Sequence, residues 1–145
     1  MSFSKQVAGF AKDAMQRANR VYRGSVLELF SVIVEATPVG QPSEWKHKPP
    51  RGYTGGRLRG NWQASLNTQK TGELERKGGG GPQTEINSVV SSLDLDEKAI
   101  MANNLPYAVA IENGHSKQSH KGAMVKENVR EWNRLVARNA KRVKK

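Results

Sequence analysis

The first quarter of the chain is written in one period. Phe3, Val7, Phe10, Ala14, Ala18 and Val21 recur at three- and four-residue steps, the spacing of a single helix face. Lys5, Lys12, Asp13, Arg20 and Arg23 fall largely elsewhere. After Gly24 the apolar residues thicken into Val26, Leu27, Leu29, Phe30, Val32, Ile33 and Val34, so this half must be covered on more than one side. The β-branched run Val32 to Val34 leaves a strand open, but the missing alternation and the continuity with the preceding pattern favour helix. Thr37-Pro38 ends the element, because the residue before a proline is driven out of the helical region. At ~1.5 Å per residue a helix over 3–36 spans roughly 50 Å. That exceeds the diameter of a small domain, so one end bends or reaches a neighbouring subunit.

A second stretch, 103–115, reads NNLPYAVAIENGH. The fixed φ and missing N–H of Pro106 suit the first position of a helix. Tyr107, Ala108 and Ile111 follow at near-helical spacing, and Gly114 stands where a left-handed C-terminal residue is wanted. A compact apolar element of one or two turns between polar flanks has to dock on something larger, and a sheet is the expected support.

Between these landmarks, residues 37–56 hold Gln41-Pro42, Pro49-Pro50, Gly52 and Gly55-Gly56 with Trp45, His47 and Tyr53. That density of Pro and Gly leaves no regular element. The segment is either a solvated loop or an arm whose Trp45 and Tyr53 anchor on a neighbouring chain, aromatic residues being enriched at interface hot spots. In 57–68, Trp62, Ala64 and Leu66 alternate with Gln63, Ser65 and Asn67, the pattern of a half-buried strand. Residues 69–82 read as a flexible connection; their glycines lack the Gly-Lys-Ser/Thr ending of a phosphate loop. Ile86, Val89, Val90 and Leu93 give a helix over 83–95 with Thr84 as a plausible cap. A polar turn over 94–98 and a short strand over 99–103 lead into the second landmark, and a polar loop follows it to Gly122. The last element, 123–143, is a helix with a stripe of Val125, Val129, Trp132, Val136 and Ala140. Beside that stripe runs a row of Lys126, Arg130, Arg134, Arg138 and Arg142. Glu127 and Glu131 can pair with Arg130 and Arg134 three positions on, whereas the tail 141–145, with Lys141, Arg142, Lys144 and Lys145, has no such partners.

The 145 residues suit one domain, 1–145, with a modest core. There is no cysteine, which excludes disulfides and thiolate metal sites. The longest apolar run, 26–36, is broken by Glu28, Ser31 and Glu35 and is too short to cross a bilayer. The N-terminus lacks the continuous apolar region of a signal peptide, so a soluble, unexported protein is expected. A net charge of +11 favours an acidic neighbour, either nucleic acid or an acidic protein surface.

Chemistry-bearing arrangements are sparse. His47, His115 and His120 show no metal-site spacing; Glu112 and His115 are three apart, but Gly114 between them ends the helix. No cysteine nucleophile, Gly-x-Ser-x-Gly elbow or acid cluster for two-metal chemistry is evident. The expectation is a protein without catalytic activity, cofactor or metal.

Three segments together, Thr37 to Val39, Gly56 to Trp62 and Asn103 to Gly114, resemble a known family. Thr-Pro-Val, Thr-Gly-x-Leu-Arg-x-x-Trp and Asn-x-x-Pro-Tyr-Ala-x-x-x-Glu-x-Gly recur in this order in the tail-completion or neck proteins of long-tailed phages, the group that includes the lambda minor tail protein Z. This chain differs by its inserted Pro-rich loop and by Ser119, His120 and Lys121 where relatives often carry Ala-Pro. The resemblance implies an α+β subunit: a long N-terminal helix and a C-terminal helix packed on a small, mainly antiparallel sheet, with a Pro/Gly-rich arm. It implies a structural protein of the virion neck, made in the host cytoplasm and assembled as a hexameric ring without cofactors. Its partners would be further copies of itself, the tail tube or tail terminator protein, head-tail connector or adaptor proteins, and genomic DNA in the channel. Trp45, Tyr53, Arg57, Arg59, Trp62, Tyr107, Glu112 and His115 are the candidate subunit or partner contacts. Arg130, Arg134, Arg138, Lys141, Arg142, Lys144 and Lys145 are the candidates for contact with DNA or an acidic partner. The rival reading is a basic nucleic-acid-binding protein acting through its last helix, with a steep salt dependence.

Overall fold

A computed structural model describes residues 2–40, 43, 46–114 and 123–144. The fold is α+β: a long N-terminal helix, a two-stranded antiparallel sheet and a C-terminal helix, joined by short helical pieces. Helix α1, Phe3–Ala36, begins at Ser2, whose hydroxyl accepts the Lys5 N–H at 3.3 Å and so satisfies one of the donors a helix start leaves open. It ends at Thr37 in extended conformation, as the following proline requires. All its buried residues, Ser25, Val26, Phe30, Ile33 and Val34, lie in the second half. The face marked by Phe3, Val7 and Phe10 looks into solvent; Phe3 is 81% exposed and Phe10 70%. The first half of the helix contributes nothing to the core.

The 57–68 stretch is a strand only in part. Arg57–Gly60 forms a single helical turn, α2, and strand β1 follows at Trp62–Leu66. Strand β2, Ala99–Asn103, pairs with β1 antiparallel, Trp62 opposite Asn103 and Leu66 opposite Ala99. A lone pair of strands is marginal in water, and here side chains complete it. On the other edge of β1, the Glu85 carboxylate accepts the Ala64 N–H at 3.1 Å, and Arg76 donates to the carbonyls of Gly60 and Trp62 at 2.7 and 2.6 Å. Glu85 is also ion-paired with Arg76 and Lys70.

This corrects the reading of 69–82 as a flexible connection. The Asn61 side chain exchanges two hydrogen bonds with the Leu74 backbone, donating to its carbonyl at 2.9 Å and accepting its N–H at 2.7 Å. Gln63 donates to the Gly72 carbonyl at 2.9 Å. Residues 69–79 have no regular structure yet run tied along β1 by side chains, a pattern that sequence periodicity does not report.

Helix α3 spans Gly80–Ser92 and starts earlier than expected, with Gly79 at its N-cap. Thr84 is therefore inside the helix, its hydroxyl donating to the Gly80 carbonyl. Pro82 is tolerated because the first-turn N–H groups have no partner inside a helix. Helix α4, Ala108–Glu112, likewise starts two residues beyond Pro106. Gly114 has φ of 82°, the left-handed stop expected of it. Leu105 and Ala108 bury this short element in the core shared by α1, β1 and α3.

The C-terminal segment is two helices rather than one: α5, Lys126–Val129, and α6, Trp132–Val143. The interruption re-phases the chain. Leu135 and Asn139 are buried, Val136 and Ala140 only half-buried, and Val129 is exposed. Asn139 is drawn in because Gly24 of α1 lets the two helices cross closely; a Cβ at Gly24 would stand 2.7 Å from Asn139 Oδ1. Among the described residues, no helix is long and apolar enough to cross a membrane.

Candidate functional site

The three motif segments meet at the C-terminal end of α1. Thr37 is fully buried; its hydroxyl donates to the Ile33 carbonyl at 2.7 Å and accepts the Trp62 indole N–H at 2.7 Å. Arg59 donates to the Thr37 carbonyl from Nε at 3.1 Å and from Nη2 at 2.7 Å, and Nη2 also reaches the Glu35 carbonyl at 3.1 Å. A guanidinium there satisfies carbonyls that a helix end leaves open and meets the negative end of its dipole. The third segment joins through Asn103, whose amide donates to the Leu58 carbonyl at 2.8 Å.

Backbone shape explains the glycines of the middle motif. Gly56 has φ of 103°, a conformation favoured only by glycine, and its carbonyl accepts the N–H of both Gly60 and Gly78. A Cβ at Gly60 would press on the Arg76 carbonyl oxygen and stand 2.8 Å from Lys77 Cα.

Glu112 closes the set. Its carboxylate accepts the N–H of Met124 at 2.7 Å, Val125 at 3.0 Å and Lys126 at 2.9 Å, which anchors the start of α5 to the end of α4. Trp62 is 5% exposed, so Trp62, Arg59 and Glu112 direct their polar groups inward.

Tyr53, Arg57 and Tyr107 come together on the surface beside this knot. Arg57 pairs with Glu73 at 3.0 Å and Glu75 at 3.3 Å, and its buried Nε has no hydrogen-bond partner among the described residues. Partial burial pushes the Tyr107 phenol up, with the neighbouring Arg57 charge opposing it. Tyr107 and Val109 are 40% and 70% exposed. Trp45, His115 and Lys145 lie outside the described residues.

The basic row of the last helices is largely paired. Arg130 meets Glu127 at 3.0 Å and Arg134 meets Glu131 at 3.1 Å, as their spacing predicts. Arg138 and Arg142 instead reach across to Glu28 of α1. Partial burial pushes the Glu28 carboxyl up, but the hydrogen bond and charge of Arg138, with Asn139 and Arg142, outweigh it and leave its pKa below the usual 4.5. Among the described residues Lys141 and Lys144 make no ion pair. Sequence pattern had not singled out Glu28 as a partner, although its charge interrupts an otherwise apolar run.

One acidic group was also missed. Asp94, Asp96 and Glu97 bring carboxylate oxygens within 4.8 Å of one another. Glu97 accepts the Asp94 N–H at 2.9 Å and Asp94 takes an ion pair from Arg23 at 3.5 Å, so two of the three stabilise the turn. No family model, curated protein or solved structure matches the chain.

Proposed function

We propose that the chain is a non-enzymatic structural protein of a phage virion, completing the head-proximal end of the tail tube and forming part of the neck as one subunit of a hexameric ring. One observation carries this reading. The motif residues Thr37, Arg59, Trp62, Asn103 and Glu112 use their polar groups inside the fold, Trp62 on the Thr37 hydroxyl and the others on nearby backbone, and not on a shared cleft. Side chains used in this way fix a shape, which is what a ring subunit has to present to its neighbours; an active site instead aims polar groups at a substrate position. On this reading the partners are adjacent copies, the tail tube or terminator protein, the head-tail connector or adaptor, and DNA in the channel. The chain is then found in the virion, and in the host cytoplasm during assembly.

The pairing of Arg130 and Arg134 with their own glutamates, and of Arg138 and Arg142 with the single Glu28, lowers the charge the last helix would offer to phosphates as a free-standing nucleic-acid binder. Electron microscopy of particles made without this protein tests the proposal. Separate heads and tails are expected; normal joined virions overturn it.

A further inference from the structure

The projecting half of α1 is apolar on two of its sides. Phe3, Val7 and Phe10 form one face, all exposed. Ala8, Ala11 and Met15 lie on another, its centre roughly 105° further round at ~100° per residue, and the two adjoin where Ala11 follows Val7 by one turn. With Leu95 and the carboxylates of Asp94 and Asp96 they line an open groove of about 720 Å³. An apolar helix face is normally buried against another element, and this helix leaves two such faces uncovered.

The two faces complement each other. Ala8 and Ala11 are small enough to leave room for an aromatic ring, and Leu95 and Met15 supply apolar walls. The groove carries Asp94 and Asp96 against one lining cation, Lys12. The phenylalanine face is edged by Arg17, with Arg20 further round. Among the described residues Arg17, Arg20 and Asp96 make no ion pair. Because the phenylalanine face and the groove occupy different sides of one helix, a copy can insert into one neighbour while receiving another. That is a head-to-tail contact, the kind that closes into rings. A two-fold dimer would instead set one patch against itself.

We infer that the Phe3–Phe10 face of one copy seats in the groove between α1 and the 94–96 turn of a second copy of this chain, with Arg17 set against Asp94 and Asp96. The inference rests on the reading of the chain as a ring subunit and names the contact by which the ring is joined.

The chain has no cysteine, so single thiols report the contact cleanly. Phe10→Cys and Leu95→Cys variants, both at exposed positions, are mixed at about 0.15 M salt, which screens the repulsion between copies beyond ~8 Å, and mildly oxidised so that the disulfide traps a pairwise contact too weak to hold the free chain as a ring. The expected product is the disulfide-linked heterodimer, in several-fold excess over what either variant forms alone or what Phe10→Cys forms with Ser88→Cys on α3. Adding Arg17→Glu to the first chain lowers the yield, and adding Asp96→Arg to the second then restores it. Far-UV circular dichroism checks that each variant is folded. A yield no higher than the Ser88→Cys control overturns the inference. So does a predominance of Phe10→Cys homodimers, which would mean a two-fold contact, or crosslinking in assembled particles only to a different protein. Failure of the neck reading is separable: joined virions without the chain defeat that role while the crosslink stands, and a neck role without the crosslink defeats the docking alone.

Discussion

The Trp62 indole owes its place to one hydroxyl. Thr37 accepts its N–H inside the core, so Trp62→Phe should lose a buried hydrogen bond and leave a small void. The expected cost is about 1–3 kcal/mol, read as a lower urea midpoint at unchanged slope. Arg59 acts as a planar fork on two carbonyls, a geometry that an ammonium cannot copy. Arg59→Lys should therefore fall well short of restoring the stability lost in Arg59→Ala. Gly60→Ala should be costlier than either, because the added methyl meets backbone and not a yielding side chain. Two carboxylates set the acid limit. Burial raises Glu28 and Glu85, but Arg138 for the first and Arg76 for the second more than offset it, leaving both below 4.5. A carboxylate depressed on folding contributes stability that is fully present above its unfolded value and is lost as pH falls through its folded one. Unfolding midpoints should thus drop on acidification below about pH 4.5, and Glu28→Gln should flatten that drop. At this scale the sequence marked which residues matter, since Thr37, Arg59 and Trp62 all stand in recurring motifs. Their partners were hidden, because each hydrogen bond spans more than twenty positions.

Elements whose ends are set by neighbouring residues were legible, and those shaped by distant contacts were not. Ser2 and Thr37-Pro38 bound α1 where the pattern placed it, and β2 fell where the apolar run did. The burial of Asn139 in place of Ala140 goes with its fit against Gly24 and Glu28 on α1, which no local rule contains. The two halves of α1 differ most in exposure: the second holds all the buried residues of the helix, while the first holds none and borders the 94–96 turn across an open groove. A helix end without tertiary cover is held only by its own marginal propagation. Amide exchange in the free protein should accordingly be orders of magnitude faster over 5–18 than over 22–36. Protection of the first stretch should rise on assembly; equal protection of both halves in the free chain would contradict this account.

For the whole molecule the governing quantity is charge. Six copies at +11 each would bring together about +66, and salt screens beyond ~8 Å but not at close contacts. The free chain should therefore sediment as a monomer at low salt and close its ring only on an acidic template, such as the tail end or the DNA-bearing connector. A stable hexamer of the isolated protein in light scattering at low salt would refute that. What single-chain folding does fix is the direction in which α1 leaves the body, because Gly24 lets α6 lie close across it. A methyl group at that crossing would push the Asn139 amide aside and off the Glu28 carboxylate, so the clamp on the rod is seated against a hydrogen atom inside each subunit.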